Sequence, residues 1–202
     1  MLRATISSVI AIVLMTVILG LAYPFVMTGF AQVAFKSQAN GSLLDQNGKV
    51  VGSRLVAQGF TGSRYFHPRP TATSPPYTAG GLWMGGDTTF ANLGPTNPTL
   101  AQNVRKAAKA ILELEGPYNP GLTIHDIPVD AVVTSGSGID PEISPANAQL
   151  QSRRVAAVRR LPLSTVQQLI SKYTVDRSWG YFGEPGVNVL ELNLALDRLG
   201  TS

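Results

Sequence analysis

The 202-residue chain contains no cysteine, so its fold has no disulfide bond, and neither thiolate chemistry nor a cysteine metal site is available. Histidine is also scarce. The two that are present, His67 and His125, have no cluster of carboxylates beside them, which argues against a catalytic zinc site. Charged residues make up only 14% of the chain, and the basic residues behind its net charge of +4 are scattered. A scattered excess does not indicate nucleic-acid binding, so we expect no nucleic-acid partner.

Charge is missing altogether between Arg3 and Lys36. The core of this segment, residues 6–27 (ISSVIAIVLMTVILGLAYPFVM), is almost wholly apolar and long enough to cross a bilayer, which takes about 20 helical residues. A cleaved signal peptide is the alternative, but its apolar region is usually only about 7 to 15 residues long. We therefore predict a membrane anchor in residues 1–36, surrounded by the lipid bilayer, and one soluble domain in residues 37–202.

The positive charges of Arg3 and of the amino terminus precede the apolar run. Positive charge at such a place is retained in the cytoplasm, whereas a long following domain is translocated largely regardless of its own charge. The expected orientation therefore has a cytoplasmic amino terminus and a periplasmic or extracellular domain.

Beyond residue 36, signals for strands and helices alternate. An Asn-Gly pair between apolar runs predicts a hairpin, and an N-cap residue followed by proline predicts a helix start. Apolar residues at period two favour a strand, although at the carboxyl end a helix stays open as the alternative. These signals place a hairpin at Asn47-Gly48 with its second strand over 49–58, helices over 97–115 and 144–160, a capping box at Ser164 and Gln167 that starts a further helix, and strands over 128–134 and 187–196. The predicted fold class is a single N-terminal transmembrane helix followed by one mixed α/β soluble domain.

Residues 60–98 are rich in glycine, proline and threonine and show no lasting periodicity. Their aromatic residues favour an ordered loop packed by its own rings over disorder: Phe60, Tyr65, Phe66, Tyr77, Trp83 and Phe90. In the run Tyr65-Phe66-His67-Pro68-Arg69-Pro70 the prolines force extended backbone on the residues before them. Aromatic and arginine side chains suit either a core or an interface. Tyr65, Phe66, His67 and Arg69 are therefore candidates for contact with a partner, with core packing as an equal alternative.

Residues 147–175 carry five basic residues and no acidic one. The five are Arg153, Arg154, Arg159, Arg160 and Lys172. The favoured interpretation is the solvated face and the carboxyl end of a helix, where the macrodipole favours cations. The alternative is an acidic partner surface or anionic lipid headgroups, which makes Arg153 and Arg154 further interface candidates.

The segment 134–144 combines a small-residue turn with the start of a helix. Backbone amides in such a turn, together with a helix N-terminus, can bind an anion, so Ser135, Gly136, Ser137, Gly138 and Asp140 are candidate ligand-binding residues. The alternative, which we favour, is a tight structural connection. A hydrolase with Ser135 or Ser137 as nucleophile and a histidine as base would need a third, orienting group. The turn lacks the G-x-S-x-G elbow, which makes such a hydrolase the less favoured function.

Several blocks of the sequence, taken in order, closely resemble the C subunit of the bacterial Kdp potassium-transporting P-type ATPase. After the single apolar helix they are Tyr65-Phe66-His67-Pro68-Arg69-Pro70, Asn92-Leu93-Gly94-Pro95-Thr96-Asn97-Pro98, Ser135-Gly136-Ser137-Gly138-Ile139-Asp140-Pro141, Gln151-Ser152-Arg153-Arg154-Val155-Ala156 and Gly183-Glu184-Pro185-Gly186-Val187-Asn188-Val189-Leu190. The resemblance covers nearly the whole chain. The first and third of these blocks are not generic turn sequences, which makes it specific.

The resemblance implies a non-catalytic subunit in the inner membrane of a bacterium. Its implied partners are a channel-like potassium-translocating subunit, a P-type ATPase catalytic subunit and a small membrane peptide. The C subunit of this family is described as an assembly factor and as a chaperone that raises the ATP affinity of the catalytic subunit. Because a domain outside the membrane cannot contact a cytoplasmic nucleotide, we expect ATP and potassium to act on the complex and no cofactor to be held by this chain.

Overall fold

The computed structural model describes residues 2–46, 48–60, 62–71 and 92–199. The chain divides into two compact units, Met1–Leu43 and Leu44–Ser202. Of the aromatic residues assigned to an ordered loop, Tyr77, Trp83 and Phe90 lie outside the described residues.

The first unit is one long apolar helix. It consists of α1 (Leu2–Val17), a π-helical turn (Ile18–Ala22) and α2 (Tyr23–Ala34), followed by the short helix α3 (Lys36–Ala39). The helix from Leu2 to Ala34, 33 residues in all, is long and apolar enough to cross a membrane, and its most apolar 18-residue stretch has a mean hydropathy of 2.6. The expected N-terminal transmembrane helix is thus confirmed. Pro24 accounts for the π turn, because its ring crowds the carbonyl one turn earlier and it has no N–H to donate, and a widened turn relieves both.

The predicted hairpin is present as β1 (Leu43–Gln46) and β2 (Lys49–Ser53). Gly48 in the turn has φ +76°, the left-handed conformation that an Asn-Gly turn requires. The second strand ends at Ser53 and not near Gln58 as predicted. The chain leaves the sheet there, and the N–H of Ala57 instead donates to the carbonyl of Ile139 at 2.9 Å.

Two predicted helices begin at the expected caps. In α4 (Pro98–Glu115) the side chain of Asn97 accepts a hydrogen bond from the N–H of Thr99. In α5 (Pro145–Arg159) the hydroxyl of Ser144 accepts from the N–H of Asn147. Local capping chemistry thus fixes both starts.

The predicted strand over 128–134 is wrong, because this segment holds a 3₁₀ turn at Val129–Ala131. The carboxylate of Asp130 accepts hydrogen bonds from the N–H and the hydroxyl of Ser144, each at 2.8 Å. It also accepts a bond from Asn147 Nδ2 at 3.0 Å. The turn therefore places a carboxylate against the N-terminus of α5, where the helix dipole favours negative charge.

The strands of the second sheet are short and antiparallel, in the order β3 (Glu142–Ile143), β5 (Gly186–Asn188), β4 (Thr174–Val175). In their register Ile143 and Thr174 both lie opposite Val187. Between β3 and β4 come α5 and α6 (Leu163–Lys172). The capping box at Ser164 and Gln167 is wrong, because α6 begins one residue earlier, directly after Pro162.

The favoured strand over 187–196 is present only as far as Asn188, in β5, and beyond it the alternative that was left open is present as α7 (Val189–Leu199). The leucines do recur at period two, but Asn193 and Ala195 between them are buried as well. Burial therefore follows the helical period. The core of the unit lies between α5, α6, α7 and the sheet. It is built from Phe66, Ile143, Ala148, Val155, Ala156, Val166, Ile170, Val187, Val189, Leu192 and Leu196.

Candidate functional site

Arg154 lies at the centre of the contacts that hold the segment 63–69 on the domain. Its side chain has no exposed surface. Its Nε lies 2.7 Å from Glu115 Oε1, and its Nη2 donates to Gln151 Oε1 at 3.0 Å. Its Nη1 donates to the carbonyls of Ser63 and, at 2.9 Å, Tyr65. One guanidinium thus joins α4, α5 and the segment 63–69.

Two amide side chains also hold this segment, and each is hydrogen-bonded to both backbone groups of one residue, as a neighbouring β-strand would be. Gln151 accepts from the N–H of His67 at 2.8 Å and donates to its carbonyl at 3.1 Å. Asn193 on α7 likewise accepts a hydrogen bond from the N–H of Phe66 and donates one to its carbonyl, both at 2.9 Å. Satisfying four backbone groups in this way allows Phe66 to be fully buried without an orphaned N–H or carbonyl.

Tyr65 is held at the edge of the domain by three neighbours. Its hydroxyl donates to Asp197 at 3.2 Å, and the guanidinium of Arg159 lies 4.9 Å from its ring centroid. The ring of Phe60 packs against the Tyr65 ring, with the two ring centroids 5.2 Å apart. The ring of Phe60 belongs to the predicted loop, whereas Asp197 and Arg159 lie on α7 and α5, so a loop over 60–98 packed by its own rings stays a prediction.

The basic residues of 147–175 divide into two groups. Arg153, Arg160 and Lys172 are exposed, as the solvated-face interpretation predicts. For Arg154 and Arg159 that interpretation is wrong, because both face inward; Arg159 is paired with Asp197 at 2.8 Å and its side chain is only 2% exposed. With its side chain inside the domain, Arg154 offers no surface to a partner. The same holds for Phe66, whereas the interface prediction for Tyr65, His67, Arg69 and Arg153 stays a prediction.

The small-residue turn lies beside the same segment. Arg69 Nη1 pairs with Asp140 Oδ2 at 3.0 Å, and its Nη2 donates to the carbonyl of Thr134 at 3.2 Å. The Ser135 hydroxyl accepts from the N–H of Gly138 at 3.0 Å, and the Ser137 hydroxyl accepts from that of Ile139 at 3.2 Å. Two of the five blocks that carry the resemblance, 65–70 and 135–141, are therefore in direct contact.

These contacts favour the tight-connection alternative for the turn. The serine hydroxyls close the turn, Asp140 accepts a hydrogen bond from the N–H of Glu142 at 3.1 Å, and Asp130 occupies the N-terminus of α5. Gly136 is exposed and Gly138 is buried. The anion site at 135–140 stays a prediction.

Burial shifts the pKa of two groups at this site. It raises the pKa of the Glu115 carboxyl, and the adjacent Arg154 opposes that rise. It lowers the pKa of His67, and the charge of Arg154 lowers it further, while a hydrogen bond with the carbonyl of Gly62 acts the other way. Glu115 Oε2 is buried with no hydrogen-bond partner among the described residues. Both residues line a cleft of about 250 Å³ between α4 and α5, whose other walls are mainly apolar.

Sequence reasoning missed Glu115, Asp130 and Asn193, which bind Arg154, Ser144 and Phe66, residues far from them in sequence. It also passed over Trp179-Gly180-Tyr181-Phe182, three aromatic residues around a glycine that signals a turn between β4 and β5.

A family model described as "KdpC: K+-transporting ATPase, c chain" matches residues 5–198. The chain belongs to the KdpC family. Among curated relatives, the "Potassium-transporting ATPase KdpC subunit" of Paraburkholderia phytofirmans is 48% identical over 192 residues, which covers 95% of this chain and 94% of the relative. The protein of the same name from Paraburkholderia phymatum is 52% identical over 179 residues, 88% of each chain. That from Koribacter versatilis is 45% identical and covers 95% of this chain and 93% of its own.

Membership in the KdpC family makes the chain a membrane subunit of a potassium-transporting ATPase complex and implies partner subunits. It also gives a context to the folded motifs. In this KdpC chain the two most specific blocks, 65–70 and 135–141, are joined by the ion pair of Arg69 and Asp140.

Proposed function

We propose that this chain is a non-catalytic accessory subunit that stabilises the potassium pump. Its helix docks beside the channel-like potassium-translocating subunit, and its α/β domain covers the outer mouth of that subunit. The observation that carries the proposal is the helix Leu2–Ala34, none of whose hydropathic core is buried within the chain itself. Its apolar sides are therefore available to lipid and to a neighbouring subunit, which are the surroundings in which such a surface is stable.

The chemistry inside the domain supports a non-catalytic role. Two ion pairs lie at the family motifs, Arg154 with Glu115 and Arg69 with Asp140. The hydroxyls of Ser135 and Ser137 are hydrogen-bonded to the backbone of their own turn. A nucleophile needs a base within hydrogen-bond reach, and these contacts include no histidine.

The proposed orientation also bears on ATP. With a periplasmic or extracellular domain, the chain raises the ATP affinity of the catalytic subunit only through the subunits between them, and ATP and potassium act on the complex. Such an effect requires that the whole pump prefers a different conformation when the subunit is bound.

The test is to purify the pump with and without this chain from the same membranes. The proposal predicts a lower yield of intact complex and lower potassium-stimulated ATPase activity when the chain is missing. Unchanged assembly together with unchanged activity would contradict it. Adding the purified chain back to the depleted pump is the control for damage during preparation.

A further inference from the structure

Between β4 and β5 the chain makes a turn that carries three exposed aromatic rings. Trp179 is 85% exposed, Tyr181 61% and Phe182 60%. We call residues 177–184 the aromatic hairpin. Large exposed aromatic side chains this close together are uncommon on a monomeric surface and mark interaction sites.

The backbone of the aromatic hairpin is fixed by its own hydrogen bonds. The N–H of Ser178 donates to the carbonyl of Phe182 at 2.8 Å, and the reverse bond is 2.9 Å. At the two ends, Arg177 Nη2 and Glu184 Oε2 form an ion pair at 2.7 Å. The rings are therefore presented on a closed turn.

The turn also contains an unfavourable backbone conformation. Trp179 has φ +58°, in the left-handed region that bulky residues seldom adopt, and it is followed by Gly180 at φ +83°. The hydrogen bonds that close the turn hold Trp179 in this conformation while the residue stays 85% exposed.

The chemistry of the aromatic hairpin defines what it fits. The charges of Arg177 and Glu184 offset each other, and the residues between them are uncharged. An anionic lipid surface therefore gains no electrostatic attraction here. Three rings exposed to this degree offer on the order of 400 Å² of contact area. This is about half of the roughly 800 Å² that each partner contributes to a standard protein interface.

We infer that the aromatic hairpin is a docking element for another subunit of the pump. The matching surface is a concave, uncharged pocket with apolar walls and hydrogen-bond acceptors for the indole N–H and the phenol O–H. Membership in a family of pump subunits supplies the partner, since such a chain must contact other chains. The inference rests on the proposed function in naming a pump subunit as that partner.

The test compares Trp179→Ala and Phe182→Ala with Val129→Ala in the full chain, bound to the remaining purified pump subunits in detergent. Val129 is a matched control because it is 71% exposed and lies in the same domain. We expect each hairpin variant to dissociate about tenfold faster or more, the usual effect of removing a hot-spot ring, and Val129→Ala to behave as the unsubstituted chain. The thermal unfolding of each variant verifies that the fold is intact.

A photoreactive benzoylphenylalanine at position 181 identifies the surface that the hairpin touches in native membranes. Cross-links to another pump subunit support the inference. Cross-links to lipid alone, or hairpin variants that dissociate like Val129→Ala, overturn it and leave the proposed function standing. If the pump assembles and works unchanged without the chain, the proposed function is contradicted instead. The cross-linked product at position 181 still shows whether the aromatic hairpin contacts another pump subunit.

Discussion

Arg154 Nε and Glu115 Oε1 lie 2.7 Å apart, with 0% and 2% of the two side chains exposed. The residues come from different helices, α5 and α4, and are 39 positions apart. The same guanidinium donates to the backbone carbonyls of Ser63 and Tyr65, so the pair connects α4 and α5 to the segment 63–69. Removing one partner leaves a buried group without its counter-charge, which is costly even where the intact pair adds little net stability.

We therefore expect Arg154→Met to lower the free energy of unfolding by about 3 to 5 kcal/mol. The loss combines the missing charge with the two backbone carbonyls that lose their donor. Urea unfolding of the full chain in detergent measures it. Arg153→Met is the control, because Arg153 is the next residue of the same helix and is exposed. A loss below about 1 kcal/mol, the level of a surface pair, would show that the pair does not hold the segment.

The lowered pKa of His67 predicts a specific dependence of stability on pH. As pH falls below the ordinary histidine value of about 6.5, the unfolded chain takes up a proton that the folded chain resists, because burial and the Arg154 charge disfavour it. This group therefore lowers stability as pH falls through 6.5 towards its folded pKa and has no effect well above 6.5.

We expect His67→Gln to reduce the loss of unfolding free energy between pH 7.5 and pH 5, as measured by urea unfolding at a series of pH values. Comparison with the unsubstituted chain cancels the opposite contribution of Glu115 and Glu142. Their raised pKa values, caused chiefly by burial, add stability that is fully present below the ordinary glutamate value and is lost as pH rises through the folded pKa. His125→Gln is the control and keeps the full dependence. An identical pH profile for His67→Gln and the unsubstituted chain would contradict the prediction.

The double variant Ser135→Ala, Ser137→Ala separates the proposed subunit role from the alternative of a periplasmic hydrolase. The hydroxyls accept hydrogen bonds from Gly138 and Ile139, so their removal costs about 1 kcal/mol for each bond and leaves the core untouched. We expect the pump to assemble with unchanged potassium-stimulated ATPase activity. If the purified chain hydrolyses ester substrates and the double variant does not, the hydrolase is correct.

Signals that act within a few residues were sufficient for much of the fold. The N-caps Asn97 and Ser144, the turn at Gly48 and the uncharged run after Arg3 each depend on neighbours in sequence, and the elements they predict are present. Where distant residues decide, the prediction failed. Asp130 turns residues 129–131 away from a strand because it caps α5, 14 positions later.

The predicted site shows the same limit. Arg154 looked solvated because its partner Glu115 is 39 positions away, and no local pattern connects the two. The period-two leucines of 187–196 predicted a strand because the polar Asn193 between them was expected to face solvent. It is buried instead, because it is hydrogen-bonded to Phe66, 127 positions away. Trp179, by contrast, was visible in the sequence, but its exposure could be known only from the fold.

The side of the membrane on which the domain lies is the central claim, because it decides which surface of the pump the chain can cover. The absence of native cysteine permits a direct measurement with single-cysteine variants. Lys109→Cys replaces a side chain that is 80% exposed on α4, and Leu2→Cys marks the amino terminus. With a membrane-impermeant maleimide on intact spheroplasts, we expect immediate labelling at position 109 and labelling at position 2 only after permeabilisation. The reverse pattern would place the domain in the cytoplasm and contradict the account.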